Sequence, residues 1–213
     1  VLLVVVFRFA PVHTSGLMIQ RTIEASLDSS KTKMRRQYWV CAAHIARSAP
    51  LAVMASEDQK FLSHSGFDFE QLEKALDAGK KGKRLRGAST ISQQTAKNMF
   101  LWNGRSYVRK GLEAWFTLLI ELCWSKERIL EIYLNIVEFG PGIFGIEAAS
   151  LTYFGKHAKN LSSYEAALLA AVLPNPHRLR AKAPSAYVKN RQQWIVRQMR
   201  QLGGEASLSK DWP

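Results

Sequence analysis

Between Ser106 and Trp124 the residues Leu112, Trp115, Phe116, Leu119, Leu122 and Cys123 recur at intervals of three and four, the spacing of one helix face. The same period returns in Gly16–Leu27, with Leu17, Met18, Ile19, Ile23 and Leu27. It returns again after Asp68, with Phe69, Leu72, Ala75 and Leu76, and once more in Ile129, Leu130, Tyr133 and Leu134. No strand alternation of any length is present; only short extended pieces near Val40 fit. A chain patterned this way buries helix against helix, so a mainly α architecture follows. At 213 residues the default is one domain with room for a small lobe. No repeat or low-complexity segment interrupts it.

Local signals place the elements. Asp68 caps a helix running to about Ala78, which Gly79 stops. Ser89 is the expected cap of a helix reaching about Trp102. On it, Ile91, Thr95, Asn98 or Met99, and Trp102 form one stripe; Thr90, Gln93 or Gln94, and Lys97 form another. Ser106 or a neighbour starts the helix to Trp124, whose apolar residues read as core, with Arg109, Lys110, Glu113 and Thr117 toward a different face. Further helices are expected over Lys126–Asn135 and Ile143–Phe154. Gly145, Ala148 and Ala149 permit close packing in the second, and Glu147 is a buried acid or a cap. Ser162 and Glu165 form a capping box for a helix ending near Leu173. Ser185 opens the last helix, which ends at Leu202 before Gly203. Its outer side carries Lys189, Arg191, Arg197 and Arg200, read as solvated or touching lipid headgroups.

Lys plus Arg is 30 against 17 for Asp plus Glu, a net charge of +13, so the partner is anionic: nucleic acid, phospholipid or a phosphorylated substrate. No zinc-finger or aromatic RNA-binding pattern is present, so nucleic acid is set aside. The run Lys80, Lys81, Lys83, Arg84, Arg86 among glycines reads as a solvated loop or a cationic flap. Cys41 and Cys123 lack metal-ligand spacing; a buried free thiol at Cys123 and a disulfide between the two both stay open. Val1–Phe7 is apolar but far short of the roughly 20 residues that cross a bilayer. It reads as a buried strand or as the outer end of a membrane-spanning helix.

An apolar run from Ala49 to Ala55, broken only by Pro50, ends in the adjacent acids Glu57 and Asp58. A carboxylate where packing meets an open face is placed for acid–base work, although solvated acids at a helix end fit the spacing equally. Arg109 and Glu113, four apart, read as a surface ion pair or as a second carboxylate held by bases. Lys97, a turn or two from a helix N-terminus with free N–H groups, offers a point charge for phosphate.

Three stretches are chemically dense: Glu57-Asp58-x-x-Phe61-x-x-His64-x-Gly66, Gly87-Ala-Ser89-Thr-Ile-Ser-Gln93-Gln94-x-x-Lys97-Asn98, and Arg109-Lys110-x-x-Glu113. With Ile129–Asn135 and Gly145–Gly155 they resemble, in order, the peptidoglycan glycosyltransferases of family 51. The resemblance spans about Pro50 to Gly204, and without a penicillin-binding half the length resembles the monofunctional members. It implies a lysozyme-like helical fold with a smaller membrane-facing lobe. Residues 1–10 would end an N-terminal transmembrane anchor, 11–39 a membrane-proximal linker, and 40–213 the catalytic domain. The implied reaction is polymerisation of lipid II onto a growing glycan strand, with undecaprenyl pyrophosphate leaving and the anomeric centre inverted. Carried over position by position, Glu57 is the base and Glu113 the second carboxylate. Ser89, Gln93, Gln94, Lys97, Arg105 and Lys110 bind substrate, while Asp58 and His64 are supports. No cofactor is required; a divalent cation, Mg²⁺ or Mn²⁺, assisting the pyrophosphate is left open. The implied setting is the outer side of a bacterial inner membrane, among other cell-wall synthesis or division proteins. Two rivals stand beside this reading: a lysozyme-like lytic muramidase and a catalytically silent membrane adaptor.

Overall fold

A computed structural model describes residues 1–28, 36–80, 89–104, 106–208 and 212. Its elements run α1 (Leu2–Phe7), α2 (Gly16–Leu27), β1 (Arg36–Gln37), α3 (Ser48–Glu57), α4 (Phe69–Lys80), α5 (Ile91–Phe100), α6 (Tyr107–Cys123) and α7 (Lys126–Ile136). Then come β2 (Glu138–Gly140), β3 (Ile143–Phe144), α8 (Ile146–Phe154), α9 (Ser163–Val172) and α10 (Ala186–Gln201). The mainly helical expectation holds. The side chains of Ala75 and Leu76 and the basic stretch Lys81–Arg86 lie outside the described residues.

The core forms around α3, whose side chains from Ser48 to Ala55 are all buried. Pro50 is tolerated because it sits in the first turn, where no intrahelical N–H is needed. α9 and α10 pack on one flank of α3, and α7 meets it from another side. Burying side chains such as Leu51, Val53 and Met54 contributes about 1.5–3 kcal/mol each. α5 lies between α6 and α7 and also touches α2.

A three-stranded sheet, β1-β3-β2, closes one end. β1 runs parallel to β3, with Arg36 opposite Ile143; β2 is antiparallel to β3 through a bulge. Its strands are two or three residues long, too short for an alternating pattern to show in sequence. The expected helix from Ile143 therefore starts three residues later, at Ile146. Asn135 ties this region together, accepting from Val40 N–H at 2.9 Å and donating to Val40 O at 2.9 Å. The capping box at Ser162 and Glu165 forms as expected. Both cysteines are free: Cys41 is exposed and Cys123 only half-buried.

Two helices turn their apolar side opposite to expectation. On α6 the buried residues are Glu113, Thr117 and Ile120, whereas Trp115 is 54% and Leu122 81% exposed. Phe116, Leu119 and Cys123 pack at the margin of the core, and Phe116 stacks on Phe100 at 4.6 Å. On α4, Phe69 is 73% exposed and Leu72 is also exposed. That helix runs through Gly79 to Lys80 rather than ending before it. No helix among the described residues is long and apolar enough to cross a membrane. α1 instead docks on the body: Trp124 Nε1 donates to Val4 O at 2.7 Å, and Arg128 donates to Phe7 O.

Gly145 does more than permit close packing. Its φ is +82°, and a Cβ there would lie 2.7 Å from the Asn135 carbonyl oxygen. Gly145→Ala should therefore destabilise the protein by about 2 kcal/mol or more, read as a lower denaturation midpoint in urea.

Candidate active site

An all-apolar helix lies inside a core, so its last turn marks where the core meets solvent. Glu57 occupies that turn of α3 with its side chain 14% exposed. Asp58 follows as the C-cap and is buried.

The two acids are used differently. Asp58 Oδ2 accepts from Ile91 N–H at 3.0 Å, and both its oxygens face His64 Nε2 at 3.0 Å. Gly66 N–H donates to His64 Nδ1 at 3.1 Å, so the ring proton sits on Nε2 and points at Asp58. Burial pushes the Asp58 carboxyl above the usual range, while the Ile91 N–H and His64 pull it back. Lys126 secures the same corner, donating to His64 O and lying over the Phe61 ring at 4.5 Å. Asp58 is thus a joint between α3 and the start of α5.

Neighbouring side chains occupy much of that start. Thr90, not Ser89, is its N-cap: Thr90 Oγ1 accepts from Gln93 N–H at 3.2 Å, and Gln93 Oε1 accepts from Thr90 N–H at 3.0 Å. Thr90 Oγ1 in turn donates to Gly66 O at 2.6 Å. Of the N–H groups expected to attract an anion here, Asp58 and Thr90 already hold those of Ile91 and Gln93. α5 also ends at Phe100, with Leu101 buried as its C-cap and Trp102 beyond it.

The attracting charge lies further along. Ser89, Gln93, Gln94, Lys97, Arg109, Lys110 and Glu113 line a pocket of ≈ 140 Å³ between α5 and α6. Glu113 is buried at its side, accepting from Arg109 Nη1 at 2.8 Å and from Lys110 Nζ. Charge pairing explains why α6 turns this polar face inward, and Thr117 Oγ1 closes the turn by donating to Glu113 O at 2.7 Å. The Arg109–Glu113 pair is therefore not a solvated surface pair. Lys97 is within ion-pairing distance of no described carboxylate. Burial pushes its ammonium below the usual lysine range; Glu113 opposes this, Arg109 and Lys110 reinforce it, and Glu57 opposes it weakly. The pocket is a partly desolvated cationic cradle.

Glu57 joins this pocket through Gln94, whose Nε2 donates to Glu57 Oε2 at 3.2 Å. Of the expected site residues, Ser89, Gln93, Gln94, Lys97, Lys110 and Glu113 line the pocket, Glu57 stands beside it bonded to Gln94, and Arg105 lies outside the described residues. Sequence reasoning missed two neighbours. Tyr133, read only as core, donates its hydroxyl to Gln94 Oε1 at 3.1 Å. Arg191, read as solvated, instead reaches Ser56 Oγ at 3.0 Å and Glu57 Oε1 at 3.4 Å. It lies 134 positions from Glu57, and no local pattern marks such a pairing.

The cradle does not suit a resident divalent cation. Its one carboxylate, Glu113, is bonded to two bases, and among the described residues no three His, Cys, Asp or Glu side chains converge to hold a metal.

The family profile described as Transglycosylase matches residues 24–200. The chain is 58% identical over 210 residues to a protein of Chromohalobacter salexigens, covering 99% of this chain and 89% of that one. It is 56% identical over 206 residues to one of Pectobacterium carotovorum, covering 96% and 84%. It is 56% identical over 209 residues to one of Salmonella typhimurium, covering 98% and 86%. Each of these relatives bears the name biosynthetic peptidoglycan transglycosylase.

The lowered Lys97 pKa gives a signed expectation. A depressed folded-state pKa means that charging Lys97 in the empty pocket opposes folding below that pKa, and the effect vanishes above the ordinary lysine value of 10.5. Lys97→Met should thus raise the melting temperature at pH 7 but not above pH 10.5. It should also weaken inorganic pyrophosphate binding about 10- to 100-fold at pH 7, measured by calorimetry.

Proposed function

The chain belongs to the transglycosylase family, and from that membership we propose that it polymerises lipid II into peptidoglycan glycan strands through the pocket between α5 and α6. It is a peptidoglycan glycosyltransferase. The observation that carries the mechanism is the bond from Gln94 to Glu57, which joins a carboxylate at the core's edge to a cationic cradle.

Two groups must act at once. A sugar hydroxyl is a weak nucleophile at neutral pH and needs a base within hydrogen-bond reach. Glu57 is that base, taking the proton of the acceptor's 4-hydroxyl. On the other side of the reacting carbon an undecaprenyl pyrophosphate departs, and its negative charge grows as the bond breaks. Lys97, already in place and partly stripped of water, stabilises that charge more in the transition state than before it. Glu113 holds Arg109 and Lys110 toward the same cradle. A single displacement inverts the anomeric centre, from an α-linked pyrophosphate to a β-linked strand. The fixed side-chain cations carry the charge, and no step is routed through a metal. Ser89, Gln93 and Gln94 line the cradle beside the departing group.

The same reading places the protein at a membrane, because the donor's tail is lipid. α6 presents Val108, Leu112, Trp115, Leu118 and Leu122 to solvent, a larger apolar face than a helix in water ordinarily exposes. This face, with the net charge of +13, would seat the pocket against an anionic bilayer. We assign it to the outer side of the bacterial inner membrane. A lysozyme-like arrangement with a smaller membrane-facing lobe, and an anchor ending near Phe7, belong to the same proposal.

Labelled lipid II, followed by gel separation of products, tests the reaction. Wild type should yield long strands, and Glu57→Gln should lower turnover by roughly 10²- to 10⁴-fold. Turnover at the wild-type level in Glu57→Gln would remove the base from Glu57. Leu118→Glu should reduce partition onto vesicles of anionic lipid by about tenfold, by sedimentation, while leaving pyrophosphate binding intact.

A further inference from the structure

The two oxygens of Glu57 are not equivalent. Oε1 receives the Ser56 hydroxyl at 3.0 Å and Arg191 Nη2 at 3.4 Å. Arg191 Nη2 also donates to Ser56 Oγ at 3.0 Å, so arginine, serine and carboxylate form a closed triangle. Oε2 receives Gln94 Nε2 alone, at 3.2 Å. A carboxylate oxygen offers about two acceptor positions. Among the described residues, Oε1 is therefore filled and Oε2 keeps one position free, on the side of Gln94 and the cradle.

The Gln94 amide must also face the right way. Turned over, its oxygen would confront Glu57 Oε2, acceptor against acceptor. Glu57 Oε2 and Ser89 O can only accept, which keeps Nε2 on their side, and Tyr133 anchors the other end of the amide by donating its hydroxyl to Gln94 Oε1 at 3.1 Å. Tyr133 is fully buried, and burial holds its hydroxyl protonated far above the usual tyrosine range. Donors set by α7 and α10 thus clamp a carboxylate that ends α3.

We propose that Arg191 and Tyr133 are positioning residues of the transfer reaction, and that their clamp leaves Glu57 Oε2 as the atom that takes the acceptor's proton. The inference rests on the reading of Glu57 as base. In the step, the acceptor O–H bond breaks and its proton passes to Oε2. The freed electron pair forms the new bond to the anomeric carbon. The bond from that carbon to the pyrophosphate oxygen breaks, and its electrons leave on the phosphate. Arg191 and Tyr133 touch neither sugar nor phosphate. They keep the base aimed, and aim enters the rate rather than substrate affinity.

The test uses the full chain in lipid vesicles with labelled lipid II, comparing wild type with Arg191→Ala, Arg191→Lys, Ser56→Ala, Tyr133→Phe and Glu57→Gln. Thermal melting reports folding. Misplacing a reacting group by about an ångström can cost about 100-fold, so Arg191→Ala should lower kcat by about that factor, with KM held within about threefold. Arg191→Lys should recover part of the loss, and Tyr133→Phe should lower kcat about tenfold. Wild-type kcat in Arg191→Ala or Tyr133→Phe, or a loss confined to KM, would overturn the inference. Should Arg191→Ala fail to fold, Arg191→Lys and Ser56→Ala decide: a reduced kcat at unchanged KM supports the clamp, and wild-type kcat in both removes it. A wild type that makes no polymer would defeat the proposed function itself. Polymer from wild type, none from Glu57→Gln, and full activity in the clamp variants would defeat this inference alone.

Discussion

The buried contact between Asp58 and the first N–H of α5 holds the site together. It fixes the end of one helix to the start of another, and each carries half of the chemistry. Glu57 stands one residue before this joint and Lys97 two turns beyond it. Their relation therefore follows from one short, charge-assisted bond. Burying a carboxylate opposes folding unless its lone pairs are occupied, and here Ile91 N–H and the oriented His64 ring occupy them. The same bond occupies the first N–H of that helix, and Lys97 further along is a cation of the cradle with no described carboxylate within ion-pairing distance.

The cradle follows a related logic. Three bases crowded together repel one another, and the buried Glu113 makes their gathering tolerable. Arg109 and Lys110 are each paired with Glu113 at rest, whereas Lys97 has no described carboxylate within ion-pairing distance. A site that kept every cation paired would bind a phosphate only by breaking bonds. One that paired none would resist folding.

Legibility in sequence depended on range. Several caps and helix spans and one capping box are local and could be read: Ser162 and Glu165, Ser185, and the run ending at Glu57 all fall where their neighbours dictate. Ser89 and Thr90 are both competent caps, but only Thr90 stands three residues before Gln93 in capping-box spacing, a local signal that was overlooked, and Gly66 O accepts from it as well. The two- and three-residue strands left no alternation to detect. α6 shows the deeper limit. Periodicity located its apolar stripe but assumed that such a stripe faces inward. The paired charges on the other face are buried instead, and of the stripe Leu112, Trp115 and Leu122 stay outside while Phe116, Leu119 and Cys123 reach only the margin of the core. The grouping of Glu57, Gln94, Lys97 and Glu113 was anticipated only through motif order, since Gln94 meets Glu57 across 37 positions. Arg191 had no such guide.

The distance of Arg191 from Glu57 along the chain has a consequence for how the protein comes into being. A polypeptide made from its N-terminus exposes the run to Glu57 early, while α10 is among the last elements to emerge. A chain on which α10 has not yet docked thus holds its base with the serine and the glutamine but without the guanidinium.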